Sequence, residues 1–175
     1  GEVRGLKIFE VGCGPGILAE YLIHEGAKVV AFDVSPKMIE LARTRNPKNG
    51  TFFVADGAEV LPLGPEYNGQ FDLAVASLAI DYIKDWSTPL GEVHRLLKQN
   101  GKFIFTIQHP LGSWNWYKPE CAFGVQYVEA SWKGFVDEPV TMPDYYRSFE
   151  EVINPLILAG FKILKVEDLK PIDAL

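Results

Sequence analysis

Three acids stand at the ends of apolar runs: Glu10 closes Leu6-Lys7-Ile8-Phe9, Asp33 follows Ala27–Phe32, and Asp56 follows Thr51–Ala55. Beyond the first of them lie Gly12, Gly14 and Gly16, around Cys13 and Pro15. Glycine lacks Cβ and reaches backbone angles closed to other residues, so a ligand can approach the main chain of such a loop directly. A carboxylate in the position of Asp33 can accept two hydrogen bonds from a ribose diol. One in the position of Asp56 can accept from an exocyclic adenine amine, while neighbouring N–H groups donate to the ring nitrogens. Plainer readings stand beside these. The glycines also suit a tight turn, Asp33 suits a helix cap, Asp56 an ordinary turn, and Met38 a core position rather than an adenine face.

The elements that would carry these residues alternate. Short apolar runs predict strands near 6–11, 27–32, 51–55, 71–76, 102–107 and 161–167, and helical spacing predicts helices near 16–25, 36–45, 88–98 and 149–159. Alternation of this kind predicts a doubly wound α/β fold with a mostly parallel sheet, whose ligands bind at the carboxyl ends of the strands. Ser35-Pro36 reads as an N-cap followed by proline at the first helical position, and Gly26 suits the end of the first helix. Asn100-Gly101 reads as the stop of the third helix, and Ser148 with Glu151 as a capping box for the last, which Pro155 should kink or shift. Residues 59–70, punctuated by Pro62, Gly64, Pro65 and Gly69, read as a loop with at most one short turn.

The glycine loop departs from the dinucleotide fingerprint. G-x-G-x-x-G needs its third glycine at position 17, which is Ile17; the spacing here is G-x-G-x-G. Taken in order, the segments Glu10–Gly16, Asp33–Met38, Ala55–Ala58, Phe71–Leu78 and Leu96–Phe105, with a return over Tyr146–Ser148 and Ala159–Phe161, resemble the class I S-adenosylmethionine-dependent methyltransferases. The branch most resembled is the small-molecule one that includes quinone-biosynthesis enzymes. The resemblance implies a Rossmann-like methyltransferase fold and S-adenosylmethionine as cofactor, with S-adenosylhomocysteine as product. It places the methionine part of the cofactor on Gly12, Cys13, Gly14 and Gly16 with Glu10 near its ammonium. Asp33 and Val34 fall at the ribose, Met38, Asp56, Gly57 and Ala58 at the adenine, and Ser77 and Leu78 beside the sulfonium. Members commonly begin with a helix or two before the first strand and insert a seventh, antiparallel strand beside the fifth. Both are expected to be missing here, which suggests a longer full-length form.

Positions 109–147 supply a dense run of aromatic residues, Trp114, Trp116, Tyr117 and Tyr146 among them, against 13% aromatic over the whole chain. This segment is expected to cover a flat or apolar methyl acceptor, with a hairpin over Val125–Val136; a satellite core or a homodimer surface are its alternative uses. Should the acceptor need to lose a proton, Asp81, Tyr82 and His109, after the fourth and fifth strands, are the candidate catalytic residues. His24 and His94 fall on predicted helices as packing or surface residues.

At 175 residues, 47% apolar and 23% charged, the chain fits one domain spanning 1–175. No apolar run approaches the roughly 20 residues that cross a bilayer, and no signal peptide precedes the first strand, so a cytoplasmic protein is expected, without a membrane partner. A net charge of −6 argues against nucleic acid, as does Ser77-Leu78-Ala79-Ile80 where amino-group-modifying members carry a polar-Pro-Pro-aromatic tetrad. Two cysteines, Cys13 and Cys121, make a disulfide framework or a thiolate metal site improbable. A noncatalytic cofactor-binding relative and a nicotinamide-dependent oxidoreductase are the rival readings.

Overall fold

Ile8 and Phe9 are both fully buried although neighbours in a strand point to opposite faces, so the first strand must lie inside a sheet covered on both sides. The computed structural model, which describes residues 2–46, 48, 50–132 and 140–169, shows this. Strands β1 (Lys7–Val11), β2 (Lys28–Asp33), β3 (Gly50–Val54), β4 (Phe71–Ser77) and β5 (Leu97–Thr106) form one sheet in the order β3-β2-β1-β4-β5. All four pairings are parallel, with Ile8 opposite Val29 on one side and Leu73 on the other.

Helices α1 (Ile17–His24) and α2 (Pro36–Arg45) lie over one face, where Ala19, Leu22, Ile39 and Ala42 meet Ile8, Val29 and Val75. On the other face α3 (Ser87–Leu96) brings Val93 and Leu96 against Phe9, Val11 and Phe32. Here α5 (Phe149–Leu158) packs beside α3 through Val152, Leu156, Trp86 and Leu90. A helix α4 (Pro110–Tyr117) follows β5, and strands β6 (Val125–Trp132) and β7 (Val140–Arg147) form a separate antiparallel hairpin. Because successive crossovers leave β1 toward β2 on one side and toward β4 on the other, the sheet's switch point falls between β1 and β4. In such sheets the crevice opens beyond the carboxyl ends of those two strands.

Several expectations shift. The third helix stops at Leu96, not beyond it, and Asn100, with φ of 64°, sits in an irregular stretch of β5 where the register slips between Phe71 and Leu73. Ser148 is the N-cap of α5, yet its hydroxyl accepts from the Gly124 amide at 3.3 Å rather than closing a capping box, and α5 runs on through Pro155. The hairpin pairs 125–132 with 140–147; positions 133–136 of the expected one lie outside the described residues. Residues 161–169 form no strand. A strand requires a hydrogen-bonded neighbour, and among the described residues none pairs with the outer edge of β5. The segment is instead held by Phe161, whose ring lies 5.8 Å from Phe103 and 5.4 Å from His94. Among the described residues no helix precedes β1 and no antiparallel strand lies beside β5. No helix among them is long and apolar enough to cross a membrane.

The start of α1 is set by close packing. Gly16 is its N-cap at φ of 79°, and a Cβ there would come within 2.9 Å of Ala42 Cβ and 3.0 Å of Ala42 Cα. Asn46 ties the same point by donating to the Gly16 carbonyl at 3.2 Å and the Ala42 carbonyl at 3.1 Å. Gly16→Ala is therefore expected to combine a left-handed backbone penalty with overpacking against backbone, and to destabilise by about 2–4 kcal/mol in urea unfolding.

Candidate active site

The glycine loop turns sharply because all three of its glycines are left-handed: Gly12 has φ of 64° and Gly14 of 52°, and Gly16 follows at 79°. A Cβ on Gly12 would lie 2.5 Å from that of Ala79, so the exit of β1 is pressed against the exit of β4. Cys13 donates its amide to the Phe32 carbonyl at 2.9 Å, and Asp33 at the end of β2 accepts from the Gly14 amide at 2.8 Å and from the Ser35 amide at 2.9 Å. Of the two uses expected of that carboxylate, the plainer one at the turn into α2 is seen here, and beside it the carboxylate also holds the glycine loop. Ser35 caps α2 by accepting from the Met38 amide at 3.4 Å, and Pro36 takes the first helical position. Met38 and Val34 stand exposed at this rim. Asp56 accepts from the Ala58 amide at 2.9 Å, an Asx turn, and Gly57 lies beneath Ile83 and Phe32, where a Cβ would come within 2.9 Å of Ile83 Cδ1. The tips of β1, β2, β3 and β4 thus converge.

Glu10 lies at the floor of this rim. It is 2% exposed, and its Oε2 has no hydrogen-bond partner. Burial, followed by the Asp33 charge, pushes its pKa up to about 8. Burial, with Glu10 and Asp33, likewise pushes Cys13 up to about 12, so this cysteine is a thiol and not a nucleophile. An orphaned buried carboxylate beside a second one calls for a cationic donor, and the chemistry of an amino-acid ammonium fits it. Among the described residues no group of three or more His, Cys, Asp and Glu could hold a metal ion.

Across the switch point Ser77 and Leu78 are exposed, and Leu78 is a left-handed non-glycine residue at φ of 49°. That conformation costs on the order of 1–3 kcal/mol. It is held by the Leu78 amide, which donates to the Thr106 carbonyl at 3.1 Å and to Thr106 Oγ1 at 3.2 Å. Immediately after it, Asp81 is buried and accepts from the Gln108 amide at 3.1 Å. Burial chiefly, opposed by that amide and by Arg147 and reinforced by Asp144, brings Asp81 up to about 7. Tyr82 is 37% exposed, and burial raises its pKa above the ordinary phenol value.

His109 is placed differently from Asp81. It is the N-cap of α4, its Nδ1 accepts from the Leu111 amide at 3.1 Å, and its Nε2 lies 3.5 Å from Asp168. Gln108 beside it turns inward: its Nε2 donates to Asp144 at 3.1 Å and to the Tyr117 oxygen at 3.2 Å, while Tyr117 donates to Asp144 at 2.7 Å. Burial, then the bond to Asp144, pushes the Tyr117 phenol up to about 12. Arg147, 5% exposed, donates to the Ile83 carbonyl and at 2.8 Å to that of Lys84, and lies 4.4 Å over the Trp86 ring. Asp81, Gln108, Tyr117, Asp144 and Arg147 line one small cavity. Of the aromatic residues expected over the acceptor, Trp114 packs on Tyr146 at 5.9 Å, and the Tyr146 hydroxyl is engaged by the Ala122 carbonyl. Trp116 is 72% exposed. Gln108 and Asp144 carried no signal in the sequence, and Arg147 only its place in the Tyr146–Ser148 resemblance, because a polar residue in an irregular aromatic segment looks the same whether it is solvated or buried.

The unpaired Glu10 supports a stability test. Unfolded, a glutamate loses its proton near the ordinary value of 4.5; folded, Glu10 keeps it up to about 8. The native state binds the extra proton between those values, so stability falls as pH rises through that window and levels above it. Glu10→Gln, which cannot ionise, is expected to abolish this decline and to exceed the parent by a few kcal/mol at the upper end, read by chemical denaturation across pH.

Comparison with known proteins supplies the family. The pattern described as "Methyltransferase domain" matches residues 9–105, from β1 to the end of β5. The malonyl-[acyl-carrier protein] O-methyltransferase of Pseudescherichia vulneris is 34% identical over 106 residues, covering 61% of this chain and 40% of that protein. The ubiquinone biosynthesis O-methyltransferase of Xanthomonas euvesicatoria pv. vesicatoria is 30% identical over 107 residues, covering 61% and 45%. The chain thus spans less than half the length of these two relatives. The crystal structure of an S-adenosylmethionine-dependent methyltransferase from Mesorhizobium loti superposes with a TM-score of 0.72 at 27% identity, over 97% of this chain and 80% of that one. With four strand tips closing on a glycine loop over a buried, unpaired glutamate, and with this family pattern covering β1 to β5, the chain belongs to the S-adenosylmethionine-dependent methyltransferases of the methyltransferase-domain family.

Proposed function

We propose that the protein transfers a methyl group from S-adenosylmethionine to a small-molecule acceptor by in-line displacement. The observation that carries this reading is the juxtaposition of two unlike half-sites at the switch point. One holds the glycine loop with Glu10 and Asp33; the other holds the strained Leu78 beside a buried polar network under an aromatic cover. When bound, the cofactor supplies a methyl group already activated on sulfur. The protein's share is to orient the acceptor in line and exclude water.

In this reading Glu10 and the backbone of the Gly12–Gly16 loop hold the amino-acid end, Asp33 and Val34 the ribose, and Met38 and Asp56–Ala58 the adenine. Ser77 and Leu78 wall the reacting centre. Trp114, Trp116, Tyr117 and Tyr146 cover the acceptor. Asp81 is the proposed proton acceptor, since its pKa of about 7 lets it ionise at neutral pH a few residues beyond Leu78. Tyr82 lies at the same rim, and His109, whose Nδ1 holds the start of α4, positions that helix. A cofactor-binding relative without turnover and a nicotinamide enzyme are not favoured by the family assignment.

Thermal shift tests the cofactor half. S-Adenosylmethionine and S-adenosylhomocysteine are expected to stabilise the protein, by about 2.7 kcal/mol at a hundredfold excess over Kd, with NADH inert. Asp33→Ala should lose the shift, and selective stabilisation by NADH would contradict the proposal. Because the cofactor's cation favours ionised Glu10, its affinity should also climb as pH rises toward about 8 and lose that slope in Glu10→Gln. For the chemical step, Asp81 accepts a proton only when ionised, so the rate should rise with pH through about 7. Asp81→Asn should remove that limb and lower turnover at neutral pH roughly 10²-fold, measured by radiolabelled methyl transfer. An unchanged limb in this variant would exclude Asp81 as the base.

A further inference from the structure

Beyond Tyr117 the space between α4 and β6 opens into a groove of about 630 Å³, within the range of small-molecule sites. One wall is the end of α4 with Pro119 and Glu120; the other is β6 from Gln126 to Ser131. It lies wholly past residue 105, outside the part of the chain that the family pattern matches. Each wall holds a large ring in the open, Trp116 at 72% and Tyr127 at 58% exposure, although such rings are ordinarily buried. Glu120 and Glu129 line the same groove against one cation, Lys118, and Glu129 already accepts from the Tyr127 hydroxyl at 3.3 Å. Tyr117, shared by the groove and the inner cavity, gives its proton to Asp144 and accepts from Gln108, which ties this wall of the groove to the inner network.

Negative π faces and two carboxylates favour positive charge and N–H donors; among the lining residues Lys118 alone opposes them. We propose that this groove binds an organic cation, an ammonium or charged ring on a compact apolar body, and that the methyl acceptor carries this feature. The proposal rests on the reading of small-molecule methyl transfer and deepens it. Trp116 and Tyr127 clasp the cation, and Glu129 neutralises it. The groove meets the reacting edge through Tyr117 and Gln108, whose backbone amide is bonded to Asp81.

The test is calorimetric titration of the full chain, saturated with S-adenosylhomocysteine, using three probes of similar shape: 2-phenylethylammonium, 2-phenylethanol and 3-phenylpropanoate. The cation is expected to bind about tenfold more tightly than the alcohol, and the anion least well. Trp116→Ala should bring cation and alcohol to parity, and Glu129→Gln should reduce the preference severalfold. Retention of the S-adenosylhomocysteine melting shift shows that each variant is folded. Equal binding of cation and alcohol, preference for the anion, or no binding of any probe into the millimolar range would overturn the proposal. The titration requires no turnover, so a missing methyl transfer with an intact cation preference would count against the enzymatic reading and its cationic acceptor while leaving the cation site in place.

Discussion

The carboxylate of Asp33 joins the carboxyl ends of β1 and β2, the junction that everything else is built around. One oxygen receives the Gly14 amide and the other the Ser35 amide, so a single side chain fixes the loop leaving β1 and the turn entering α2. The Cys13 amide, bonded to the Phe32 carbonyl, closes the same junction from the other strand. These bonds place two acids side by side in a dry setting, which is why Glu10 holds its proton so far above the ordinary range. The loop's geometry and its electrostatics therefore have one source, the approach of β1 and β2 at their carboxyl ends.

The opposite side of the crevice is organised by a different device. Left-handed Leu78 is held by the two Thr106 bonds, which turns the chain from β4 into the short helical turn at Ile80–Tyr82. Asp81 is thereby pushed inward to meet Gln108, and Gln108 gathers Tyr117 and Asp144. A strained residue so close to the reacting edge is stable only because the ladder between β4 and β5 over-determines it.

Much of the first half was readable from residue order. Continuous apolar runs marked the buried parallel strands, and Ser35-Pro36 and Gly26 punctuated the helices where the structure has them, with Gly26 at φ of 94°. The acids at three strand tips pointed to the crevice because parallel topology brings carboxyl ends to one edge. The second half resisted for physical reasons. Helix α4 starts at His109-Pro110, a proper cap and first turn, but its aromatic content obscured any apolar period. The expected strand over 161–167 has suitable residues yet no partner among those described, and pairing is a property of neighbours rather than of the segment. Asp144 and Arg147 are buried by a hairpin that folds back onto Trp86 and the Ile83 carbonyl, contacts more than sixty positions away in sequence.

That return of Arg147 constrains how this part of the molecule can diversify. The guanidinium is seated on Trp86 and on carbonyls of the segment after β4, while Gln108 pins α4 to the same place. The aromatic cover is consequently not a freely exchangeable attachment on a generic scaffold. Exchange of the hairpin between relatives would part the buried guanidinium from its ring and carbonyl partners unless the stretch from Asp81 to Trp86 travelled with it, so acceptor preference and the segment following β4 should evolve as one unit.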